Sequence, residues 1–104
     1  MGLYLPTTMK PFAWNEEKNQ LLKAERGVSF EEVVAAIASG AILDIVEHPN
    51  QERFSHQRIF IVQMRAYVWL VPFVEDGETI FLKTIIPSRK ATRQYLGGQD
   101  DKSS

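Results

Sequence analysis

The fold is decided at residues 57–86, QRIFIVQMRAYVWLVPFVEDGETIFLKTII. Runs at 57–64 and 66–74 are rich in Ile, Val, Phe, Tyr and Trp, and a third apolar run follows at 79–86. β-branched and aromatic residues in runs of this length predict strands. Asp76-Gly77, between the second and third runs, is typical of a tight hairpin. The stretch therefore predicts an antiparallel meander.

A fourth strand and two irregular points complete the predicted sheet. The pattern changes after Gly40, and residues 41–46 read as a strand closed by turn-forming residues at 47–51. The corner near residues 64–66 contains no Gly, Asn or Pro, so its position is weakly defined. Pro72 lacks a backbone donor, which predicts a bulge or a sheet edge at that position.

Two helices are predicted before the sheet. Asn15 is a suitable N-cap for a helix at about residues 16–25, and Gly27 is suited to ending it. Ser29 then begins a second helix, with Glu32 at the capping-box position. Its apolar residues recur at helical spacing, at Phe30, Val33, Val34 and Ile37.

A basic helix is predicted directly after the last strand. Ser88 is at the N-cap position, and Arg89, Lys90 and Arg93 fall in the first turns. Arg89 and Arg93 are four residues apart and share a helical face. Cations at a helix N-terminus oppose the helix dipole, which suggests an anionic ligand nearby. The alternative is a solvated basic helix packed through Ala91 and Tyr95.

These elements predict an α+β fold. An N-terminal helix pair packs on a roughly four-stranded antiparallel sheet, a C-terminal helix closes it, and the helices cover one sheet face. We expect an N-terminal arm at residues 1–10, a single domain at 11–97, and a disordered polar tail at 98–104.

Composition excludes several classes of protein. The chain has no cysteine and two histidines, without metal-ligand spacing, so no metal or cofactor is predicted. No nucleotide-binding or serine-hydrolase motif is present. No run reaches the roughly 18 apolar residues of a membrane span, and no signal peptide is evident. We expect a cytoplasmic protein with no membrane contact.

Polar side chains placed among strand residues suggest RNA cleavage. Metal-free cleavage requires deprotonation of a 2′-hydroxyl, stabilisation of the phosphorane charge and protonation of the 5′-oxygen. Glu52 and His56 are the candidates for moving protons, although a histidine near a turn is more often merely solvated. Basic residues supply charge stabilisation. The predicted catalytic set is Glu52, Arg53, His56, Arg65 and Arg89, and the predicted RNA-binding set is Lys18, Arg58, Lys83, Lys90 and Arg93.

The chain resembles the BrnT family of bacterial type II toxins, which are ribonucleases related in fold to RelE. The resemblance rests on three stretches, Phe12 to Asn19, Arg26 to Glu32 and Ile86 to Thr92, and on Glu52-Arg53. The motifs Gly-Val-Ser-Phe-Glu and Ser-Arg-Lys-Ala-Thr are fairly specific in combination. Three positions depart from the family pattern: Glu25-Arg26 stands for a Lys-His pair, Thr84 for an arginine, and residues 64–66 for a more turn-like sequence.

The resemblance implies an endoribonuclease that inhibits translation and is neutralised by a cognate antitoxin. It implies that the antitoxin is a ribbon-helix-helix protein encoded by the adjacent gene, that the two chains form a hetero-oligomer, and that operator DNA is bound only through the antitoxin. By the same resemblance, five residues fall on or near family polar positions: Lys18, Glu52, Arg53, Arg65 and Arg89. The residues leave an alternative open, a non-catalytic protein-interaction module or an inactive toxin relative.

Overall fold

The computed structural model describes residues 10–97. Its elements are β1 (Phe12–Ala13), α1 (Glu16–Arg26), α2 (Phe30–Ala38), β2 (Ile42–Glu47), β3 (Gln57–Met64), β4 (Tyr67–Glu75), β5 (Ile80–Leu82), β6 (Ile86–Pro87) and α3 (Arg89–Tyr95). The predicted arm, apart from Lys10, and the predicted polar tail lie outside the described residues.

The α+β class is confirmed, but the sheet is larger and more mixed than predicted. Its strand order is β1-β5-β4-β3-β2, and β6 also pairs with β4, which gives six strands within the described residues. The meander β2 to β5 is antiparallel, whereas β1 runs parallel to β5. The extra strands come from Phe12–Ala13 and from a division of the predicted 79–86 strand.

That division occurs at residues 83–85, where the chain turns into the core. Ile85 is fully buried in the main hydrophobic cluster. Its carbonyl oxygen accepts a hydrogen bond of 2.6 Å from the Arg26 Nη1 group. Burial of this side chain and satisfaction of its carbonyl by a helix residue remove Ile85 from the ladder, so a continuous strand was the wrong prediction.

Pro72 lies in the central strand β4, opposite Ile59 of β3, with no break in the register. Its carbonyl accepts from the Lys83 backbone N–H at 2.8 Å, on the side where β5 gives way to β6. Because the N and C=O of one strand residue point the same way, the missing donor faces that break. The predicted edge or bulge in β4 is wrong, and the irregularity lies in the neighbouring strand.

The helices cover both faces of the sheet, not one. Alternate residues of β3 enter separate clusters: Phe60 and Val62 pack with the helix pair, whereas Ile59 and Ile61 pack with α3. Successive strand residues point to opposite faces, so the helix pair and α3 lie on opposite sides. The prediction of a single covered face was wrong because α3 carries its own apolar contacts, Ala91 and Tyr95.

The predicted helix boundaries are confirmed by their caps. Asn15 Oδ1 accepts from the Lys18 N–H at 2.9 Å, and Ser88 Oγ accepts from the Ala91 N–H at 3.0 Å. Gly27 ends α1 in the left-handed conformation, at φ 69°. Ser29 Oγ caps α2 through the Glu32 N–H at 3.1 Å. The Glu32 side chain does not return this bond, so the predicted capping box is only half formed.

Candidate functional site

The predicted catalytic residues lie at opposite ends of β3. Glu52, Arg53 and His56 precede this strand, whereas Arg65 follows it directly. A strand rises about 3.3 Å per residue, so the ends of β3 are roughly 23 Å apart. Arg89 is also distant from the loop, because Ser88 beside it donates its N–H to Val68 O at 3.0 Å, near the start of β4. The five residues therefore do not form one active site.

A pocket of about 300 Å³ lies at the loop end of the sheet. We call it the loop pocket, and its lining residues are Glu47, Gln51, His56, Arg58 and Glu75. It brings together one predicted catalytic residue, His56, and one predicted RNA-binding residue, Arg58. Glu47 and Arg58 face each other in the β2–β3 register, which places a carboxylate beside a guanidinium. The pocket therefore combines an imidazole, a guanidinium and carboxylates.

Arg58 and Glu75 are already paired inside the loop pocket. The Arg58 Nη2 and Glu75 Oε1 atoms are 2.7 Å apart, and the Arg58 guanidinium lies 5.2 Å from the centre of the Phe73 ring. Lys10 Nζ approaches Glu75 Oε2 at 3.2 Å. The hydrogen bond and charge of Lys10, followed by Arg58, hold the pKa of Glu75 below its ordinary value. A carboxylate with a lowered pKa is a weak base.

The loop before β3 is folded on itself. Asn50 Oδ1 accepts from the Arg53 N–H at 3.1 Å, and Gln51 Nε2 donates to His48 O at 2.8 Å. His56 has φ 67°, a left-handed conformation that is uncommon outside glycine. The exposed side chains of Glu52 and Arg53 stand on the same loop, outside the lining of the loop pocket. The loop thus displays three of the five predicted catalytic residues together.

Arg65 makes structural contacts at the other end of β3. Its Nε and Nη2 atoms donate to the two Glu32 carboxylate oxygens at 2.8 and 2.7 Å, and Nη2 also donates to Gly27 O at 2.7 Å. Arg65 and Ala66 have φ of 59° and 60° in the two-residue hairpin. This pair of left-handed residues corresponds to a type I′ turn. The guanidinium thus ties the hairpin to the corner between α1 and α2.

The basic side chains of α3 are exposed on the face opposite the helix pair. Arg89, Lys90 and Arg93 make no ion pair with any residue in the described range. Tyr95 packs against the sheet and donates its hydroxyl hydrogen to Asp44 Oδ2 at 3.3 Å. Burial, followed by the Asp44 charge, raises the pKa of Tyr95. The helix is anchored through its apolar side and leaves its cations available to an anion.

Lys18 and Lys83 meet in a second pocket of about 570 Å³. We call it the α1–β5 pocket, and its lining residues are Asn15, Glu17, Lys18, Leu21, Phe81 and Lys83. Lys83 Nζ lies 5.5 Å from the centre of the Phe81 ring. Two residues that are 65 positions apart in the sequence, both predicted to bind RNA, are thus brought together.

Sequence reasoning missed Glu47 and Glu75 in the loop pocket, and Phe81 in the α1–β5 pocket. The two glutamates each end a strand, β2 and β4, but only the sheet register places both beside Arg58. Within residues 10–97 no group of three or more His, Cys, Asp or Glu side chains is placed to hold a metal ion. None of the described helices is long and apolar enough to cross a membrane.

Comparison with protein families gives one finding. A family model described as ribonuclease toxin, BrnT, of type II toxin-antitoxin system matches residues 14–94. The matched range begins at Trp14, just before α1, and ends at Gln94 within α3. Comparisons with curated proteins and with solved structures find no match. The family match therefore spans the helix pair, the meander and nearly all of α3.

Proposed function

The chain belongs to the BrnT family of ribonuclease toxins from type II toxin–antitoxin systems, and we propose that it cleaves RNA without a metal ion, thereby inhibiting translation. The observation that carries this proposal is the family match over residues 14–94. Membership implies an RNA target and an antitoxin partner. A fold relationship to RelE and a cytoplasmic site of action are part of the same proposal.

We place the chemistry in the loop pocket, because its side chains match the requirements of the reaction. The 2′-oxygen attacks the adjacent phosphorus while the bond from phosphorus to the 5′-oxygen breaks. A base takes the 2′-hydroxyl proton, an acid supplies a proton to the departing 5′-oxygen, and the products are a 2′,3′-cyclic phosphate and a 5′-hydroxyl. An imidazole, a carboxylate and a guanidinium cover these three tasks.

Each task has a candidate in the loop pocket. His56 is the acid that protonates the 5′-oxygen, and Arg58 stabilises the charge on the phosphorane. Glu75 is bonded to Lys10 and Arg58 and has a lowered pKa, so it is a poor base. Glu47 lines the same pocket and has no ion pair within the described residues, so we assign the role of base to it. In this proposal Glu47 takes the role of base in place of Glu52, which lies on the loop before β3.

RNA binding extends beyond the loop pocket in this proposal. Arg53 on the loop and the α3 residues Arg89, Lys90 and Arg93 are exposed cations without ion pairs in residues 10–97, which suits contact with the phosphate backbone. Arg65 has a different role, since its guanidinium is occupied by Glu32 and Gly27. We assign Arg65 to holding the β3–β4 hairpin in place.

We further propose that a cognate antitoxin covers the exposed basic side chains and forms a hetero-oligomer with the toxin. The expected antitoxin is a ribbon-helix-helix protein encoded by the adjacent gene. The complex would bind operator DNA only through that antitoxin, because the chain itself has a net charge of −1 and no predicted helix-turn-helix. Co-expression of the adjacent gene is expected to restore growth.

The test is inducible expression in a bacterial host, with growth and total RNA followed over time. The wild-type chain should arrest growth with discrete RNA loss, and purified protein should cleave RNA in the presence of EDTA. We expect His56→Gln and Glu47→Gln to lower cleavage by about 100-fold or more. Lys23→Gln, which removes an exposed cation of α1 outside both pockets, is the matched control and should remain active.

Two results would redirect the proposal. Full toxicity of His56→Gln together with inactivity of Arg89→Ala would move the active site from the loop pocket to α3. Healthy growth with intact RNA on wild-type expression would contradict the ribonuclease function itself.

A further inference from the structure

We propose that the α1–β5 pocket binds an unpaired nucleotide of single-stranded RNA, with the base against Phe81 and the phosphate held by Lys18 and Lys83. The inference rests on the proposed ribonuclease function and narrows its substrate class to single-stranded RNA. It also assigns binding roles to an aromatic ring and an aliphatic side chain that lie outside the loop pocket.

The pocket offers an apolar surface of the right size. Its volume of about 570 Å³ falls within the range of ligand pockets, roughly 300–1,000 Å³. The Leu21 side chain is 47% exposed, more than the other large exposed hydrophobic residues in the described range, Ile45 and Ile86. It lines the same pocket as the partly buried Phe81 ring. An aromatic ring beside an aliphatic side chain is a suitable surface for the face of a base.

The charges at the pocket are available to a phosphate. Lys10, Arg58 and Arg65 form ion pairs with carboxylates, whereas Lys18 and Lys83 form none with any described residue. Lys83 Nζ lies over the Phe81 ring, 5.5 Å from its centre, so a cation stands directly beside the stacking surface. A nucleotide presents a flat base next to an anion, which matches this combination of ring and ammonium groups.

Phe81 selects for an unpaired base. Its side chain is partly buried and lines the α1–β5 pocket beside Lys83. The bases of a duplex are stacked on each other, so they present no free face to this ring. RNA-binding proteins generally read unstacked bases on aromatic side chains, and they contact duplex RNA mainly through its backbone and 2′-hydroxyls. The pocket therefore fits single-stranded RNA.

The two pockets are neighbours on the β4–β5 ladder. Phe81 pairs with Val74, which directly precedes Glu75 of the loop pocket. From the spacing of strands and the rise per residue, the Cα atoms of Phe81 and Glu75 are about 6 Å apart. Their side chains lie on opposite faces of the ladder, since Glu75 pairs with Ile80. An RNA strand that passes around the 76–79 hairpin reaches both pockets.

Glu17 offers a substitution whose expected effect on RNA affinity is opposite to that of the lysine substitutions. It lines the same pocket and is a negative charge beside the expected phosphate. Removing this charge with Glu17→Gln should strengthen RNA binding, whereas Lys18→Gln and Lys83→Gln should weaken it. A pocket that binds an uncharged apolar group predicts no such reversal.

The experiment is fluorescence anisotropy with a labelled octanucleotide whose riboses carry 2′-O-methyl groups, which block cleavage. The same strand annealed to its complement is the duplex control. We expect tighter binding of the single strand, a loss of about tenfold for Phe81→Leu, and retention of affinity by Phe81→Tyr. Each lysine substitution should lower the slope of log affinity against log salt by about 0.7.

Thermal melting of every variant separates lost binding from lost folding, and Lys23→Gln is again the matched surface control. Equal affinity for both probes, or unchanged binding by the Phe81, Lys18 and Lys83 variants, overturns the nucleotide pocket while growth arrest by the wild type still supports the ribonuclease. Loss of antitoxin protection in these variants without any loss of RNA affinity would assign the pocket to a protein partner and likewise overturn it.

Discussion

Replacing Asn19 should destabilise the protein more than any surface change on α1. Asn19 is fully buried and is the one polar residue buried among those described. Its Oδ1 atom accepts from the Phe30 N–H at 2.7 Å, and its Nδ2 group donates to Glu31 Oε1 at 2.8 Å. The amide therefore joins α1 to the first turn of α2, where helical N–H groups lack partners within the helix.

The expected cost follows from these two hydrogen bonds. In Asn19→Ala the Phe30 N–H, on a residue that is itself fully buried, loses its acceptor. An unsatisfied buried donor costs about 1–3 kcal/mol, and the lost bond to Glu31 adds roughly 0.5–1 kcal/mol because that carboxylate is exposed to water. The free energy of unfolding should fall by about 3 kcal/mol, a large part of the roughly 5–15 kcal/mol typical of a domain.

Urea unfolding followed by tryptophan fluorescence measures this loss. Trp14 stacks on Phe30 with ring centres 5.6 Å apart, so its emission reports on the affected corner. With a slope near 2 kcal/mol/M, the midpoint should fall by about 1.5 M. Gln20→Ala, which removes the amide of the next, exposed residue, should change stability by less than about 0.5 kcal/mol.

Asn19→Leu distinguishes the stability lost with the hydrogen bonds from the stability lost through a cavity. The leucine fills most of the space yet leaves the Phe30 N–H without an acceptor, so it should retain most of the destabilisation. A loss below about 1 kcal/mol for both variants would refute the reasoning, because the Phe30 donor would then have found another partner at little cost.

Three further predictions concern the hairpin and the carboxylates. Ala66→Gly should raise the free energy of unfolding by about 0.5–1 kcal/mol, because Ala66 has a left-handed backbone at φ 60°, which glycine adopts without steric cost. A decrease in the urea midpoint would contradict this. A double-mutant cycle on Arg65 and Glu32 should give a coupling of about 0.5–1 kcal/mol, limited by the exposure of the pair, and additive losses would contradict the ion pair. The hydrogen bond from Asn19 holds the pKa of the Glu31 carboxyl below its ordinary value of 4.5 in the folded protein. The ionised Glu31 therefore stabilises the fold above the pKa that it has in the unfolded chain, and this stabilisation is lost as the pH falls through its pKa in the folded protein. Melting temperatures measured below pH 4.5 should therefore fall less steeply in Asn19→Ala than in the wild type.

The local structure was largely readable from single residues. Asn15, Gly27, Ser29 and Ser88 each mark a helix boundary, because a cap depends on a side chain and the backbone within a few residues. The Asp76-Gly77 hairpin is likewise confirmed, with Asp76 Oδ1 accepting from the Glu78 and Thr79 N–H groups at 3.1 and 2.9 Å. Such signals depend only on neighbouring residues, so they can be recognised in the sequence without knowledge of the fold.

The left-handed turn at Arg65 and Ala66 was not readable in this way. Neither residue favours positive φ, so the local preference opposes the turn. The strand register and the bonds from Arg65 to Glu32 and Gly27 outweigh that preference, and all of these are long-range. The same holds for Ile85, which leaves the strand because its side chain is buried and Arg26 binds its carbonyl.

The sequence by itself determined the α+β class, the helix ends, most strands and the family resemblance, since these depend on residue type, periodicity and short motifs. Only the tertiary structure decided how the predicted site residues are distributed. Glu47, His56 and Arg58 share a pocket because β2 and β3 pair in one register, whereas Arg65 lies a full strand length away and is held by Glu32. Lys18 and Lys83 line one pocket because β1, which directly precedes α1, pairs with β5. Residue type sets what a side chain can do, but strand register and helix packing set which side chains act together.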